Sequence, residues 1–419
     1  MPNENSIPFR RRDYLKITVF GFALTALWQS LHSIILPQRL LDLVPEAQKN
    51  TYLGLMTLAG LLLAMFVQPV AGALSDRSGS KWGRRRPYIL IGGVITLLII
   101  PGIGLAGSFA VLFVVYCLLQ VASNTAQGPF QALIPDLVPP DRRGLASGVK
   151  ALLEIVGGAI LVYISSLFIN RYIAGEGSQW LWLVLGILAI ALLGTMIATL
   201  AMVKETPVNT GNRRTSLLSA LFRTAGELAS HRDLVWFLAS RLLVYMAFTT
   251  IQQFAFYYLK DVIGVVKPAE ATARFLIIAV AGMLMVVWPA GYLSDKIGRR
   301  SITFAAGLLG ALGIGIIAVS QEYNTILWAA GIIGMAMGAF NSANWALATD
   351  LVAKGEEARY LGIANMATAG GAALARAIGP AIDFFNGRRH FLGYNIMLAV
   401  CIAYFIVGAL LVFKVKRRA

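Results

Sequence analysis

Long apolar runs alternate with short polar segments along the whole chain. Each run is about 20 residues long, the length that crosses a ~30 Å hydrocarbon layer as an α-helix. Glycine and other small residues interrupt nearly all of the runs, and membrane helices use such residues for close packing. The pattern predicts an all-α membrane protein with twelve spans, roughly 14–37, 51–74, 88–106, 109–134, 145–169, 179–203, 233–259, 271–292, 302–320, 324–349, 360–385 and 391–413.

Composition and charge support a membrane location. The chain is 58% hydrophobic and only 13% charged, whereas soluble domains carry about 25% charged residues. A net charge of +16 would suit nucleic acid, but most of the 36 lysines and arginines lie at the two ends and in alternate loops. That asymmetry follows the positive-inside rule. We therefore expect cytoplasmic N- and C-termini, a cell-membrane location with the lipid bilayer as surroundings, and no nucleic-acid partner.

Nothing in the sequence indicates catalysis or a cofactor. Cys117 and Cys401 lie in separate apolar runs, and the histidines at 32, 231 and 390 are far apart. No metal-ligand cluster, nucleophile–base pair or nucleotide-binding loop is present in the sequence. We expect neither an enzyme nor a metal or other cofactor.

The chain contains an internal repeat. "ALIPDLV" at 132–138 matches "ALATDLV" at 346–352, and "GALSDR" at 72–77 matches "GYLSDK" at 291–296. The sequence therefore predicts a six-helix bundle over 1–203, a cytoplasmic central loop over 204–232 and a second bundle over 233–419. Such repeats are a hallmark of secondary transporters.

The paired motif between predicted helices 2–3 and 8–9 resembles that of the major facilitator superfamily. The loop "SDRSGSKWGRRRP" and the helix 4 stretch "ASNTAQGPFQALIPDL" are similar to those of the sucrose–proton symporters and of the glycoside-pentoside-hexuronide cation symporters. The resemblance implies two pseudo-symmetric six-helix bundles that work by rocker-switch alternating access, with substrate bound near mid-membrane.

The repeated loop is a candidate conformational latch. The simpler explanation for the loop arginines is that they orient the protein in the membrane, but this does not account for the aspartates. The resemblance implies that Asp76 and Asp295 face helix N-termini and basic side chains and so brace one conformation. Asp136 and Asp350 offer further partners for the arginines, and Gly72 and Gly291 would permit close helix packing. The predicted latch comprises Gly72, Asp76, Arg77, Arg84, Arg85, Arg86, Asp136, Gly291, Asp295, Arg299, Arg300 and Asp350.

Helix 5 carries the candidates for proton coupling. Lys150 and Glu154 lie on one helical face, and Glu154 is roughly 15 Å from the start of the helix, near the midplane. A carboxylate there can exchange protons as a cavity opens to each side. The alternative interpretation is a neutralised structural pair.

Other intramembrane polar residues are candidates for a substrate cavity. Arg241 and Arg376 can pair with Glu154, bind an anionic or hydroxyl-rich substrate, or reach out to the membrane interface. The amides suit sugar hydroxyls and equally suit hydrogen bonds between helices. The candidates are Trp28, Gln29, His32, Gln120, Asn124, Gln127, Gln131, Arg241, Gln252, Asn341, Asn344 and Arg376.

The chain departs from the family pattern at helix 4. Gln120 stands where the sucrose–proton symporters have an intramembrane aspartate associated with coupling, and Gln131 stands where they have an arginine. Helix 2 lacks the carboxylates of the sodium-coupled melibiose permeases. Either Glu154 replaces the missing aspartate or the carrier is not proton-coupled in that manner.

These observations favour a monomeric secondary transporter for a small molecule, with a sugar or glycoside moved by proton symport as the best interpretation. A proton-driven exporter of amphiphilic compounds is the nearest alternative, because the apolar content and the aromatic-rich helix 7 also suit an apolar cavity. A non-transporting sensor or membrane assembly factor is a third.

Overall fold

The computed structural model describes residues 11–205, 232–351 and 357–415, and within these ranges the chain is helical and contains no strand. The helices are α1 Arg11–Leu43, α2 Lys49–Asp76, α3 Arg86–Leu105, α4 Phe109–Leu137, α5 Arg143–Ile173, α6 Gln179–Met202, α7 Arg232–Asp261, α8 Pro268–Ile297, α9 Arg299–Val319, α10 Tyr323–Leu351, α11 Glu357–Leu374, α12 Gly379–Asn386 and α13 Leu392–Leu411. A π-helical turn at Leu31–Ile35 lies within α1, and a 3₁₀ turn at Ala375–Ile378 joins α11 to α12.

Eleven helical runs among the described residues are long and apolar enough to cross a membrane, so the chain is a multi-pass membrane protein. They correspond to predicted spans 1–10 and 12. The predicted span at 360–385 is present as the two helices α11 and α12, but neither is both long and apolar enough to be among the eleven runs. Its alanines and glycines contribute little hydrophobicity, Arg376 interrupts it, and the 3₁₀ turn divides it.

The chain divides into two compact units. The first unit comprises Met1–Ile35 and Ala59–Arg213, and the second comprises Leu36–Leu58 and Arg214–Ala419. Residues 36–58, the end of α1 and the start of α2, therefore belong to the second unit. The predicted bundles 1–203 and 233–419 remain a prediction. Of the predicted central loop, residues 206–231 lie outside the described residues.

The same helix pairs pack together within each unit. In the first unit α1 packs on α5 and α6, and α3 packs on α4 and α6. In the second unit α7 packs on α11 and α13, and α9 packs on α10 and α13. These pairs match when the chain is aligned on its repeat, so the sequence duplication corresponds to a duplicated packing pattern.

Small residues set the closest helix contacts of the second unit. A Cβ atom added at Gly334 of α10 would lie 1.9 Å from the carbonyl oxygen of Ala279 in α8, and one added at Gly338 would lie 2.4 Å from that of Met283. Any larger residue would push the helices apart, as expected for membrane helices that associate through small side chains.

Candidate functional site

The predicted latch of the first unit is an ion-pair network centred on Arg85. The buried Arg85 side chain donates from Nε to Asp136 Oδ2 at 2.8 Å, pairs with Asp76, and donates to the carbonyl oxygen of Gly72 at 3.1 Å. Arg84 binds the other oxygen of Asp136 at 2.5 Å. Two arginines just before α3 thus share one carboxylate at the end of α4.

A residue that the sequence analysis missed completes this network. The carboxylate of Glu205 accepts the backbone N–H groups of Arg85 and Arg86 at 2.9 and 3.0 Å. These donors have no intrahelical acceptor at the start of a helix, and a negative charge is favoured there. The only signal for Glu205 in the sequence was that it is an acidic residue just after the sixth predicted span. Arg77 is exposed, and the Arg86 guanidinium lies 5.3 Å from the Trp82 ring centroid.

The second unit repeats the bridge around Arg299. Arg299 pairs with Asp350, the repeat counterparts of Arg84 and Asp136, and lies 3.6 Å from Asp295. Arg299 also donates to the carbonyl oxygen of Ala346 at 2.6 Å. The Arg300 side chain is half-buried beside it.

The two latch glycines have different surroundings. A Cβ atom at Gly291 would lie 2.9 Å from Ser342 Oγ, whereas one at Gly72 would meet no atom within 4 Å. What Gly72 contributes is its carbonyl oxygen, which Arg85 binds.

Four predicted cavity residues of the first unit meet around Tyr116, which the sequence analysis missed. The Tyr116 hydroxyl lies 2.9 Å from His32 Nε2 and accepts a hydrogen bond from Gln120 Nε2 at 2.9 Å. Asn124 Nδ2 donates to Gln120 Oε1 at 3.0 Å, and the Trp28 ring is edge-on to Tyr116. Tyr116 lies one turn before Gln120 on the same face of α4, and that spacing was the available signal.

The other predicted polar residues of this unit lie in different environments. Gln29 and Gln127 are half-buried, in α1 and α4. Gln131 is exposed and accepts a hydrogen bond from Gln68 Nε2 at 2.8 Å. The amide stripe predicted along helix 4 therefore ends in a contact with α2 rather than in the Tyr116 cluster.

Glu154 and Lys150 form an ion pair inside α5. Lys150 Nζ lies 2.9 Å from Glu154 Oε1, and the two side chains are 20% and 25% exposed. Lys150 Nζ is also 5.9 Å from the Phe130 ring centroid. Gly21 of α1 makes room for the carboxylate, since a Cβ atom there would come 2.9 Å from Glu154 Oε1.

In the second unit the buried Arg241 side chain is held by neutral acceptors. It donates to Asn344 Oδ1 at 2.6 Å, Thr368 Oγ1 at 2.8 Å and the carbonyl oxygen of Ala364 at 3.2 Å. Its guanidinium lies 5.2 Å from the centroid of the Tyr245 ring. The Tyr245 hydroxyl in turn donates to Asn341 Oδ1 at 2.6 Å. Three predicted cavity residues, Arg241, Asn341 and Asn344, are thereby joined in one network.

The two remaining candidates lie elsewhere in the second unit. Arg376 is buried in the turn between α11 and α12 and donates to the carbonyl oxygen of Ala372. Gln252 is half-buried in α7, three turns along the helix from Arg241, which corresponds to a separation of about 16 Å.

A further polar cluster of the second unit was not predicted. Lys49 Nζ lies 2.7 Å from Asp261 Oδ2 and 3.3 Å from Glu46 Oε1, and Lys260 Nζ lies 2.6 Å from Glu46 Oε1. The Tyr394 hydroxyl donates to Asp261 Oδ2 at 2.6 Å. We call this group, with the residues of the next paragraph, the lysine–aspartate cluster.

Asp383 of α12 extends the lysine–aspartate cluster. Its two oxygens accept hydrogen bonds from Asn50 Nδ2 at 2.8 Å and from the backbone N–H of Thr51 at 2.6 Å. The helices approach closely here, because a Cβ atom at Gly379 would lie 2.2 Å from the carbonyl oxygen of Asn50. In the sequence these charges resemble ordinary loop residues, and their partners are separated by more than 200 positions.

No group of three or more histidine, cysteine, aspartate or glutamate side chains in the described part of the chain is arranged to hold a metal ion.

Comparison with known proteins places the chain in a family. A family model described as MFS/sugar transport protein matches residues 47–413. The sucrose transport protein SUC3 of Arabidopsis thaliana is 32% identical over 153 residues, which are 31% of this chain and 24% of that protein. The sucrose transport protein SUT1 of Oryza sativa subsp. japonica is 36% identical over 116 residues, 22% of each chain. The chain thus spans about a quarter of the length of these curated relatives.

Solved structures share the fold. A bacterial homologue of the human lysosomal transporter Spinster superposes with a TM-score of 0.72 at 16% identity, over 99% of this chain and 100% of that one. The nucleoside transporter NupG gives 0.75 at 14% identity, over 97% and 99%. A D-xylose-proton symporter gives 0.71 at 16% identity, over 97% of each chain. At these identities the likeness shows the fold alone. The resemblance found in the sequence is confirmed by the family match: the chain belongs to the MFS/sugar transport protein family.

Proposed function

We propose that this chain is a secondary active transporter that moves a sugar or glycoside together with protons, by rocker-switch alternating access. Two groups of neutral amides and aromatic rings carry the proposal, one around Tyr116 in the first unit and one around Arg241 in the second, each within apolar helices. Amides and aromatic hydroxyls both donate and accept hydrogen bonds, as sugar hydroxyls require. The relatives that are sucrose transport proteins support the same substrate class.

The proposal includes the finer architecture. We propose twelve membrane spans in two six-helix bundles, 1–203 and 233–419, with both termini and the loop 204–232 in the cytoplasm. The arginine–aspartate pairs at Asp136 and Asp350 then lie at the cytoplasmic side, where they brace one conformation of a monomeric carrier. The lysine–aspartate cluster lies at the outer side.

Proton coupling is assigned to Glu154, with Lys150 as its partner. Glu154 lies about 16 Å from the start of α5, and among the described residues it is the carboxylate that occupies the middle of a first-unit helix. A carboxylate at such a depth is best explained by a role in transport.

The test is uptake by purified protein in liposomes, over a panel of sugars, glycosides and amphiphilic cations, with and without an imposed pH gradient. We expect a neutral sugar or glycoside to accumulate only with the gradient, and Glu154→Gln to abolish accumulation while allowing exchange. Glu176→Gln, at an exposed loop position, is the matched control and should accumulate normally. Proton symport is wrong if accumulation ignores the gradient.

An exporter of amphiphilic compounds is the second candidate. It is favoured by the aromatic residues near the end of α7, among them Phe254, Phe256 and Tyr258, which offer the apolar surface that such a substrate would need. Movement of amphiphiles but of no sugar in the same panel would favour this function.

A further inference from the structure

The lysine–aspartate cluster attaches residues 36–58 to α7, α12 and α13. Lys49 carries most of the ionic part of this attachment, with a side chain that is 5% exposed against 14% for Asp261. Residues 36–58 are continuous along the chain with the first unit at both ends. Removing one charge of a pair this buried leaves the other uncompensated, which is strongly destabilising.

Asp261 differs from Glu154 in where its partner lies. Lys150 is on the same helix as Glu154, so protonation of Glu154 changes no ion pair between elements. Lys49 precedes Asp261 by 212 positions and is on another helix. A change in the charge of Asp261 therefore alters how residues 36–58 are held.

We propose that Asp261 is a second proton-binding residue of the transport cycle, whose protonation releases Lys49 and weakens the attachment of residues 36–58. This inference rests on the proposed function, because it requires a proton-coupled carrier with this cluster at its outer side. A proton from the outer water binds a carboxylate oxygen of Asp261, while Lys49 keeps its own protons and its charge. By linkage, the released arrangement binds the proton more tightly than the attached one.

The groups that face Asp261 favour its charged form in the attached arrangement, which is the difference between the two arrangements that linkage requires. Tyr394 donates a hydrogen bond to it, and Lys260 of its own helix lies 3.9 Å away. Glu46 is on the released segment and already contacts Lys49, so it can keep that ammonium group paired after release. Glu46 also binds Lys260, so a second ion pair still joins residues 36–58 to α7 when Asp261 is protonated, and the attachment is weakened rather than lost.

Tyr257 and Asp383 make contacts that limit how far protonation of Asp261 weakens the attachment of residues 36–58. The Tyr257 ring lies 5.3 Å from Lys49 Nζ, and its hydroxyl donates to the carbonyl oxygen of Pro37 at 2.8 Å. Asp383 binds Asn50 and Thr51 through uncharged donors. Protonation of Asp261 leaves these contacts in place, so it shifts the balance between attached and released arrangements in a graded way.

The test measures exposure of the segment in the full-length protein in liposomes. Cys117 and Cys401 are replaced by alanine, and the fully buried Leu53 is replaced by cysteine as the probe. A membrane-impermeant maleimide is added outside, in neutral and in acidic buffer, under a pH jump too brief to change the inner pH. We expect the rate of labelling, corrected for maleimide reactivity with a free thiol, to rise at least about fivefold in acid.

Variants separate the role of Asp261 from that of its surroundings. Asp261→Asn should label fast at both pH values, and Asp261→Glu should restore the pH response. Glu270→Gln is the matched control, because Glu270 is 15% exposed and pairs with Arg274 of its own helix; it should respond as the unmodified protein does. If Asp261→Asn does not reach the membrane, Lys49→Gln serves instead and should label fast without a pH response.

The outcomes distinguish this inference from the proposed function. A wild-type pH response in Asp261→Asn or in Lys49→Gln overturns the role of Asp261, and so does a probe that labels equally at both pH values in the unmodified protein. Neither result affects the uptake experiment. Conversely, Glu154→Gln should lose accumulation yet keep the pH-dependent labelling, because its ion pair lies in the first unit.

Discussion

The position of the Glu154 carboxylate depends on a glycine, without a side chain, on the facing helix. Its carboxylate lies against Gly21 of α1, where an added Cβ atom would come within 2.9 Å of Oε1. The Lys150 ammonium group is on the other side of the carboxylate, near the Phe130 ring. The pair therefore occupies a space that α1 leaves open, and filling that space should displace it.

The replacement Gly21→Val tests this dependence. The two methyl groups of the valine reach further than Cβ, so we expect the Glu154–Lys150 ion pair to move. Gradient-driven uptake should then fall nearly as far as in Glu154→Gln. Overpacking of this kind costs about 1–3 kcal/mol of stability, which a thermal unfolding measurement in detergent would detect. The matched control is Gly186→Val in α6, where an added Cβ atom meets nothing within 4 Å. Equal uptake by the two variants would contradict the prediction.

At this scale the sequence predicted the residues with unusual chemistry for their depth and missed those defined by a distant partner. Glu154, Arg241 and Asn344 are conspicuous because a polar group within an apolar run is costly. Tyr116 is not conspicuous, since an aromatic residue in a membrane helix needs no explanation. Asp261 is not conspicuous either, because it ends a helix and its partner lies 212 positions away.

At the scale of the helices, both units contain the repeated arginine–aspartate bridge, but the two bridges differ in burial. Both units pair the start of one helix with the end of the next through an arginine and an aspartate. In the first unit Asp136 is 19% exposed and binds two arginines, whereas Asp350 is 53% exposed and binds Arg299. The repeat fixes the position of each bridge, and the second arginine contact of Asp136 comes from Arg85, whose repeat counterpart is Arg300. The sequence predicted the bridges, but not which one is stronger.

This asymmetry predicts different costs for the same substitution in the two repeats. Asp136→Asn leaves the buried Arg85 with fewer partners, and breaking a buried pair costs up to about 3 kcal/mol. Asp350→Asn removes a largely exposed pair, which is worth about 0–1 kcal/mol. We expect a clear fall in the unfolding midpoint for Asp136→Asn and little change for Asp350→Asn, measured on purified protein in one detergent. Equal midpoints would show that the two bridges contribute alike.

For the whole molecule, the number of membrane crossings decides the orientation of everything after α10. The sequence predicts twelve spans, and eleven helical runs of the described chain meet the length and hydropathy expected of a span. The difference is α11 and α12, which are rich in small residues and contain Arg376. Hydropathy alone undervalues such a segment, because alanine and glycine favour helix packing more than they favour lipid. An even number of crossings puts both termini on the same side.

Labelling of single cysteines in intact cells distinguishes the two arrangements. With Cys117 and Cys401 replaced by alanine, cysteine is placed at Lys81, Glu322 or Arg389, all exposed. In either arrangement Lys81→Cys should resist an impermeant maleimide from outside, as a position between α2 and α3, and Glu322→Cys, between α9 and α10, should react. Arg389→Cys follows α12, so it should react from outside only if α11 and α12 together cross the membrane. We expect it to label like Glu322→Cys; protection until the cells are permeabilised would mean eleven crossings and would put the end of α13 outside.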